Sequence, residues 1–123
     1  MNYEKYLINS ATIEIKKSKF IALAFNIHSK KEIDTILSEL KKEHRKAKHL
    51  PYAFKFDNNL KKSDDKEPAN TAAGPILNII EKNNLNNILI VVIRYFGGIK
   101  LGAGGLIRAY GTAAKEVIKK EEN

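Results

Sequence analysis

The chain contains no cysteine, one methionine and three prolines in 123 residues. Without cysteine it can form no disulfide and offers no thiolate to a metal, which suits a reducing compartment. No run approaches the roughly 18 consecutive apolar residues a membrane span needs. The first ten residues also lack the basic-then-apolar build of a secretory signal. A cytoplasmic location is therefore expected, with no membrane partner. No internal repeat or low-complexity linker divides the sequence, and its length suits one domain with a real core.

What the chain has in excess is positive charge. Its formal net charge is +8, and ten Lys/Arg against four Asp/Glu between Lys16 and Lys48 account for +6 of it. Such a surface attracts polyanions, RNA among them, in a salt-dependent way. Lysine outnumbers arginine 19 to 3, and lysine is the less specific reader of phosphate. A compositional bias of the source organism explains the same count equally well.

The hydrophobic pattern predicts a mixed order of strands and helices. Thr12–Ile15 alternates as a half-buried strand, and Phe20–Ile27 is a second strand. The intervening Lys16, Lys17, Ser18 and Lys19 suit a turn or an edge. Ser29 and Glu32 make a capping box, after which Ile33, Ile36, Leu37 and Leu40 mark a helix that ends near His44. Leu50–Phe56 reads as a strand beginning at an edge because of Pro51, and the polar stretch Asp57–Asn70 as a loop. Ala73, Ile76, Leu77 and Ile80 form the stripe of a second helix, with Pro75 in its first turn. Ile88–Tyr95 is a continuous apolar run of the kind found in a strand buried on both faces or near a sheet's centre. Leu106, Ala109, Tyr110, Ala113 and Val117 outline a C-terminal helix that ends in a polar tail, Lys119–Asn123. The order ββαβαβα predicts an α+β two-layer sandwich, a mixed four-stranded sheet with helices on one face.

Six of the seven glycines fall between Gly97 and Gly111, after that apolar run. Glycines between a strand and a helix permit positive φ and bring backbone N–H groups close to a partner. A helix starting near Gly104 would add its unpaired donors and dipole. Arg94, Tyr95, Gly97, Gly98, Lys100, Gly102, Gly104, Gly105 and Arg108 are thus candidates for binding phosphate, of a nucleotide or of RNA. Lys17, Lys19, Lys48 and His49 could extend the contact. The spacing fits neither a Walker loop nor the dinucleotide fingerprint, and tight packing of the connection would call for the same glycines.

Asp64, Asp65 and Glu67 place three carboxylates within four residues, a pattern able to bind a cation or act as acid and base. No calcium-loop spacing accompanies them, and neither Ser63 nor Thr71 has a neighbouring histidine in sequence. Helix capping is the plainer use for such acids, while Asn70 or Thr71 could cap the second helix directly. His28, His44 and His49 form no ligand pair at helical spacing. No catalytic residue, metal site or cofactor is predicted.

Taken in order, Lys17-Ser18-Lys19-Phe20-Ile21, Ala47 with His49, Ser63-Asp64-Asp65-Lys66-Glu67-Pro68, Thr71-Ala72 and the run Val92–Gly102 continuing through Gly104–Tyr110 resemble the N-terminal domain shared by bacterial YigZ proteins and eukaryotic IMPACT proteins. The resemblance covers about residues 15–118 of a single domain, 1–123. The family usually has glycine where this chain has Lys66 and Asn70, and a small polar or cysteine-containing pair where it has Leu50-Pro51. It also places a glycine and a variable residue before the proline, where this chain reads Ala73-Gly74-Pro75. The resemblance implies a fold like domain IV of elongation factor G and the second domain of a small-subunit ribosomal protein, with a left-handed βαβ crossover. Bacterial members commonly carry a further ferredoxin-like domain. The chain stops at Asn123, so either a naturally short form or a truncated one is expected.

Two function classes follow. The first is a non-catalytic module that binds RNA or the ribosome and modulates translation, with a protein partner in translational control as a variant. The second is an enzyme or a receptor for a nucleotide or small anion, with Asp64, Asp65 and Glu67 facing the glycine run across a pocket.

Overall fold

A computed structural model describes residues 2–119. A 3-10 turn, Asn2–Tyr6, leads into β1 (Leu7–Ile15) and β2 (Ser18–Asn26). Helix α1 (Lys30–Glu43) is followed by β3 (Tyr52–Phe56), β4 (Asn59–Ser63), α2 (Ala73–Lys82), β5 (Ile88–Tyr95) and α3 (Gly102–Ile118). The five strands lie in the order β1-β2-β5-β3-β4, and every neighbouring pair is antiparallel. The predicted polar tail beyond Lys119 lies outside the described residues.

The structure corrects the sequence reading in three respects. First, the sheet is antiparallel rather than mixed. β2 and β3 run parallel to each other, but β5 lies between them and pairs antiparallel with both. Second, it has five strands, so the order is ββαββαβα. The stretch read as a loop holds β4, joined to β3 by the two residues Asp57 and Asn58. Four of the five β4 residues are exposed, so no apolar alternation marks the strand, and Lys61 and Lys62 guard its open edge. Asp57 takes φ +53°, which short polar side chains tolerate in tight turns.

Third, helices cover both faces, giving three layers instead of two. Leu23 and Phe25 of β2 and Leu89, Val91 and Ile93 of β5 pack with Ile33, Ile36 and Leu40 of α1. On the other face, Ala22, Ala24, Ile88, Ile90 and Val92 pack with Ile76 and Ile80 of α2 and with Leu106, Ala109, Tyr110, Ala113 and Val117 of α3. The central strands carry apolar side chains of both parities, so each face must be covered to remove them from water. One helix meets bulky residues. The face that takes two helices side by side mixes Ala22, Ala24 and Ala53 with Phe20, Ile88, Ile90 and Val92.

The local signals for helices hold. Ser29 caps α1, its Oγ accepting from Glu32 N–H at 3.2 Å. Glu32 reaches back to the N–H of His28 at 2.8 Å. Helix α1 ends at His44.

Candidate functional site

One end of the sheet gathers the segments singled out by sequence. The β1–β2 hairpin turns through Lys16 and Lys17, at φ +48° and +68°, with Ile15 opposite Ser18. Lys19 pairs with Tyr95 at the end of β5. The chain leaving α1 runs along the same end: Lys48 N–H donates to Arg94 O at 2.8 Å, and Arg94 N–H donates to His49 O at 3.0 Å. His44 Nδ1 lies 2.6 Å from the Tyr95 hydroxyl. The two ends of the +6 stretch, Lys16–Lys19 and Lys48, therefore meet the glycine run at one end of the sheet.

Gly97 locks that convergence. A Cβ there would lie 2.0 Å from the Lys17 carbonyl oxygen, so only glycine lets the two backbones touch. Gly97 N–H donates to Ser18 Oγ at 3.3 Å, and Ser18 is fully buried. Tight packing thus accounts for Gly97. Gly98 and Gly102 differ: both have positive φ, +93° and +75°, and open space where a Cβ would be. Gly104 and Gly105 lie in the first turn of α3, which has no side-chain cap. The Arg108 guanidinium reaches back over that turn, 3.5 Å from where a Gly104 Cβ would stand.

Lys17, Lys19, Lys48, Lys100 and Arg108 are exposed around this surface. Among them stand three exposed apolar side chains, Phe96, Ile99 and Ile107, which the sequence reading did not single out. Lys48 Nζ lies 5.5 Å from the Phe96 ring centroid. The signal was an apolar residue on each side of a glycine pair, in a loop where water would favour polar ones.

Arg94 and Tyr95 behave otherwise than expected. Arg94 is buried and bonds Glu67 Oε2 at 2.8 Å, so its guanidinium serves the interior instead of facing a phosphate. Tyr95 is half-buried on the α1 face with its hydroxyl committed to His44. Arg94 also lies beneath two rings, 5.7 Å from the Phe20 centroid and 5.5 Å from that of Phe96.

The acidic loop is held together from within. Asp64 accepts from the N–H groups of Asn70, Ala72 and Ala73 at 3.0, 3.1 and 2.8 Å, capping α2 from a distance. Burial pushes its carboxyl up, but those three donors and Lys62 outweigh it and hold it below the usual carboxylate value. Neither Asn70 nor Thr71 performs the direct capping expected of them; Thr71 is buried and donates to Pro68 O at 2.6 Å. Asp65 Oδ2 accepts from Leu50 N–H at 2.7 Å. Lys66 and Asn70, which replace family glycines, both adopt positive φ, +70° and +65°. The glycine conformation is kept without glycine.

Glu67 enters the core. Its Oε2 accepts from Arg94 and from the Tyr110 hydroxyl, and its Oε1 faces His49 Nε2 at 3.5 Å. His49 Nδ1 lies 2.7 Å from the Asp65 carbonyl oxygen. That oxygen can only accept, so Nδ1 carries a hydrogen, and any second ring proton faces Glu67. Burial and the hydrogen bond to Glu67 push the Tyr110 hydroxyl well above its ordinary value, which keeps it a donor. The acidic loop thus meets the glycine segment in the interior, through Glu67, Arg94 and Tyr110, and not across a pocket. Among the described residues, no three His, Asp or Glu side chains are grouped to hold a metal ion.

With this geometry in view, the relatives are informative. A model of the Impact N-terminal domain matches residues 16–118. The chain belongs to that family. The IMPACT family member YvyE of Bacillus subtilis is 43% identical over 107 residues, spanning 85% of this chain and 49% of its own. YigZ of Escherichia coli is 34% identical over 126 residues, spanning 95% and 62%. A crystal structure of a hypothetical protein superposes with a TM-score of 0.85 at 33% identity, over 92% of this chain and 59% of that one. The two-domain translational regulator Yih1 gives a TM-score of 0.57 at 25% identity, over 92% and 45%. This chain therefore spans about half to three-fifths of these relatives' length.

Proposed function

We propose that this chain is a binding module for RNA or the ribosome that modulates translation without chemistry of its own. The observation that carries the reading is an exposed glycine loop flanked by cations. The Lys17 backbone meets Gly97, Lys48 lies over the Phe96 ring, Arg108 reaches back over the first turn of α3, and Lys100 is exposed within the loop. The start of α3 has no side-chain cap, and Gly102, Ala103 and Gly104 in its first turn are exposed, leaving helix-start N–H groups for a ligand. Phosphates would lie against these groups, with the lysines supplying counter-charge and the loop backbone supplying hydrogen bonds. The carboxylates that the alternative reading needs are turned inward, Asp64 onto α2, Asp65 onto Leu50 N–H and Glu67 onto Arg94. Likeness to Yih1, itself described as a translational regulator, supports the same direction.

Filter binding to ribosomes and to structured RNA at two salt concentrations tests the proposal. Micromolar binding that weakens steeply with salt is expected. Absence of any salt-dependent binding at low salt would refute it.

A further inference from the structure

We infer that the glycine-loop surface takes single-stranded RNA, with one unpaired base stacked on Phe96. The inference rests on the RNA-binding reading above and specifies which form of RNA it accepts.

A surface that only held phosphates would need charge and backbone donors. This one also exposes 43% of Phe96, 42% of Ile99 and 45% of Ile107. All three lie within the same short segment of chain as Lys100 and Arg108. Apolar side chains in a cationic setting fit a ligand that is both charged and flat-faced, which is what an unstacked nucleotide offers. In a duplex the base faces are already stacked on one another, and an A-form helix shows a protein mainly phosphates and 2′-hydroxyls. Phe96 would then have nothing to cover it.

The ring is also prepared for that role. It rests against the Arg94 guanidinium, 5.5 Å from the centroid, and Arg94 is fixed by its bond to buried Glu67. Arg94 is 5% exposed, and its Nε has no hydrogen-bond partner. The buried guanidinium, tied to Glu67 and lying between the Phe20 and Phe96 rings, gives Phe96 an ordered base to rest on. Lys48 Nζ lies over the same ring, 5.5 Å from its centroid. A base stacking on that face would displace this exposed, flexible side chain, whose ammonium would then pair with the phosphate. The hairpin carrying Lys17 touches Gly97, the next residue, so a second phosphate along the strand would meet another lysine.

The chain has no tryptophan, so Phe96→Trp introduces a single fluorophore at the platform. The full chain with this substitution is titrated with an unstructured RNA about 12 nucleotides long and with its duplex. Quenching by the single strand, with at least tenfold weaker binding of the duplex, is expected. Phe96→Ala should weaken single-strand binding roughly 5- to 100-fold and leave duplex binding unchanged. If both forms bind equally and Phe96→Ala changes neither, the stacking inference fails while the RNA reading stands. If neither form binds at low salt and ribosomes do not bind either, both fail. Binding to ribosomes that requires Phe96, without binding of free RNA, would assign the patch to a ribosomal protein and also overturn the inference.

Discussion

Glu67 and Arg94, 27 positions apart in sequence, meet in the interior at 2.8 Å with side chains 2% and 6% exposed. Their pairing ties the loop before α2 to the C-terminal end of the central strand β5, and Tyr110 of α3 joins the same carboxylate oxygen. Three elements that flank the proposed RNA surface are therefore fixed by one buried carboxylate.

Removing that carboxylate should be costly. Glu67→Ala leaves the Arg94 charge buried without a counter-charge, and a loss of about 3–5 kcal/mol is expected. Replacing both charged partners, as Glu67→Leu with Arg94→Met, should recover part of that loss, because a buried pair contributes little net stability over apolar residues of similar size, while the Tyr110 hydroxyl still loses its acceptor. Urea unfolding of the three proteins measures it. A double variant no more stable than Glu67→Ala would contradict the ion-pair account.

Asp64 gives a pH dependence of known sign. Its folded-state value lies below the usual carboxylate value, so its contribution is complete above about pH 4–5 and fades as pH falls through that value toward the lower one. Asp64→Ala should cost about 1–2 kcal/mol at neutral pH, the loss of a helix cap. The gap from the parent protein should narrow in acid. Thermal unfolding at pH 7 and pH 3 is the check, and a constant gap would contradict it.

Much of this arrangement was legible in the sequence, for identifiable reasons. The capping box at Ser29, the stripes of α1, α2 and α3, and the uninterrupted Ile88–Tyr95 run are local patterns, and the structure keeps them. β4 was not legible, because an exposed edge strand has no core face to mark it. The second helical layer was hidden for the opposite reason: strands buried on both sides read as continuous apolar runs, which do not say what covers each face. Among site residues, Lys17, Lys19, Lys48, Lys100 and Arg108 are exposed, and Gly98 and Gly102 have the positive φ that glycine permits. The burial of Arg94 was not legible, because whether an arginine faces water or a buried glutamate depends on a partner far away in sequence. Lys66 and Asn70 both keep the positive φ of the glycines they replace; asparagine is the residue that best stands in for glycine there, whereas nothing about a lysine announces that conformation.

The β1–β2 turn holds two lysines at positive φ, a conformation that costs ordinary residues about 1 kcal/mol each. Lys16→Asn with Lys17→Gly supplies the pair that such two-residue turns favour. The variant should gain about 1 kcal/mol of stability while binding RNA more weakly, since two cations leave the surface. Parallel melting and binding measurements would separate the two effects. A less stable variant would contradict the strain argument.

Gly97→Ala should act in the reverse way. Its Cβ would overlap the Lys17 backbone at 2.0 Å, so a loss of about 2–3 kcal/mol is expected from forced backbone movement. Gly98→Ala meets no atom and should cost less, about 1 kcal/mol from its positive φ. Equal losses in thermal unfolding would contradict this division.

The central claim is that one cationic end of the sheet binds RNA. Its most direct test is the slope of log affinity against log salt for single-stranded RNA, compared between the parent protein and Lys48→Ala/Lys100→Ala/Arg108→Ala. Each lost phosphate contact should reduce the slope by about 0.7, so the triple variant should be shallower by about 2 and bind more weakly at every salt concentration. An unchanged slope and affinity would contradict the account.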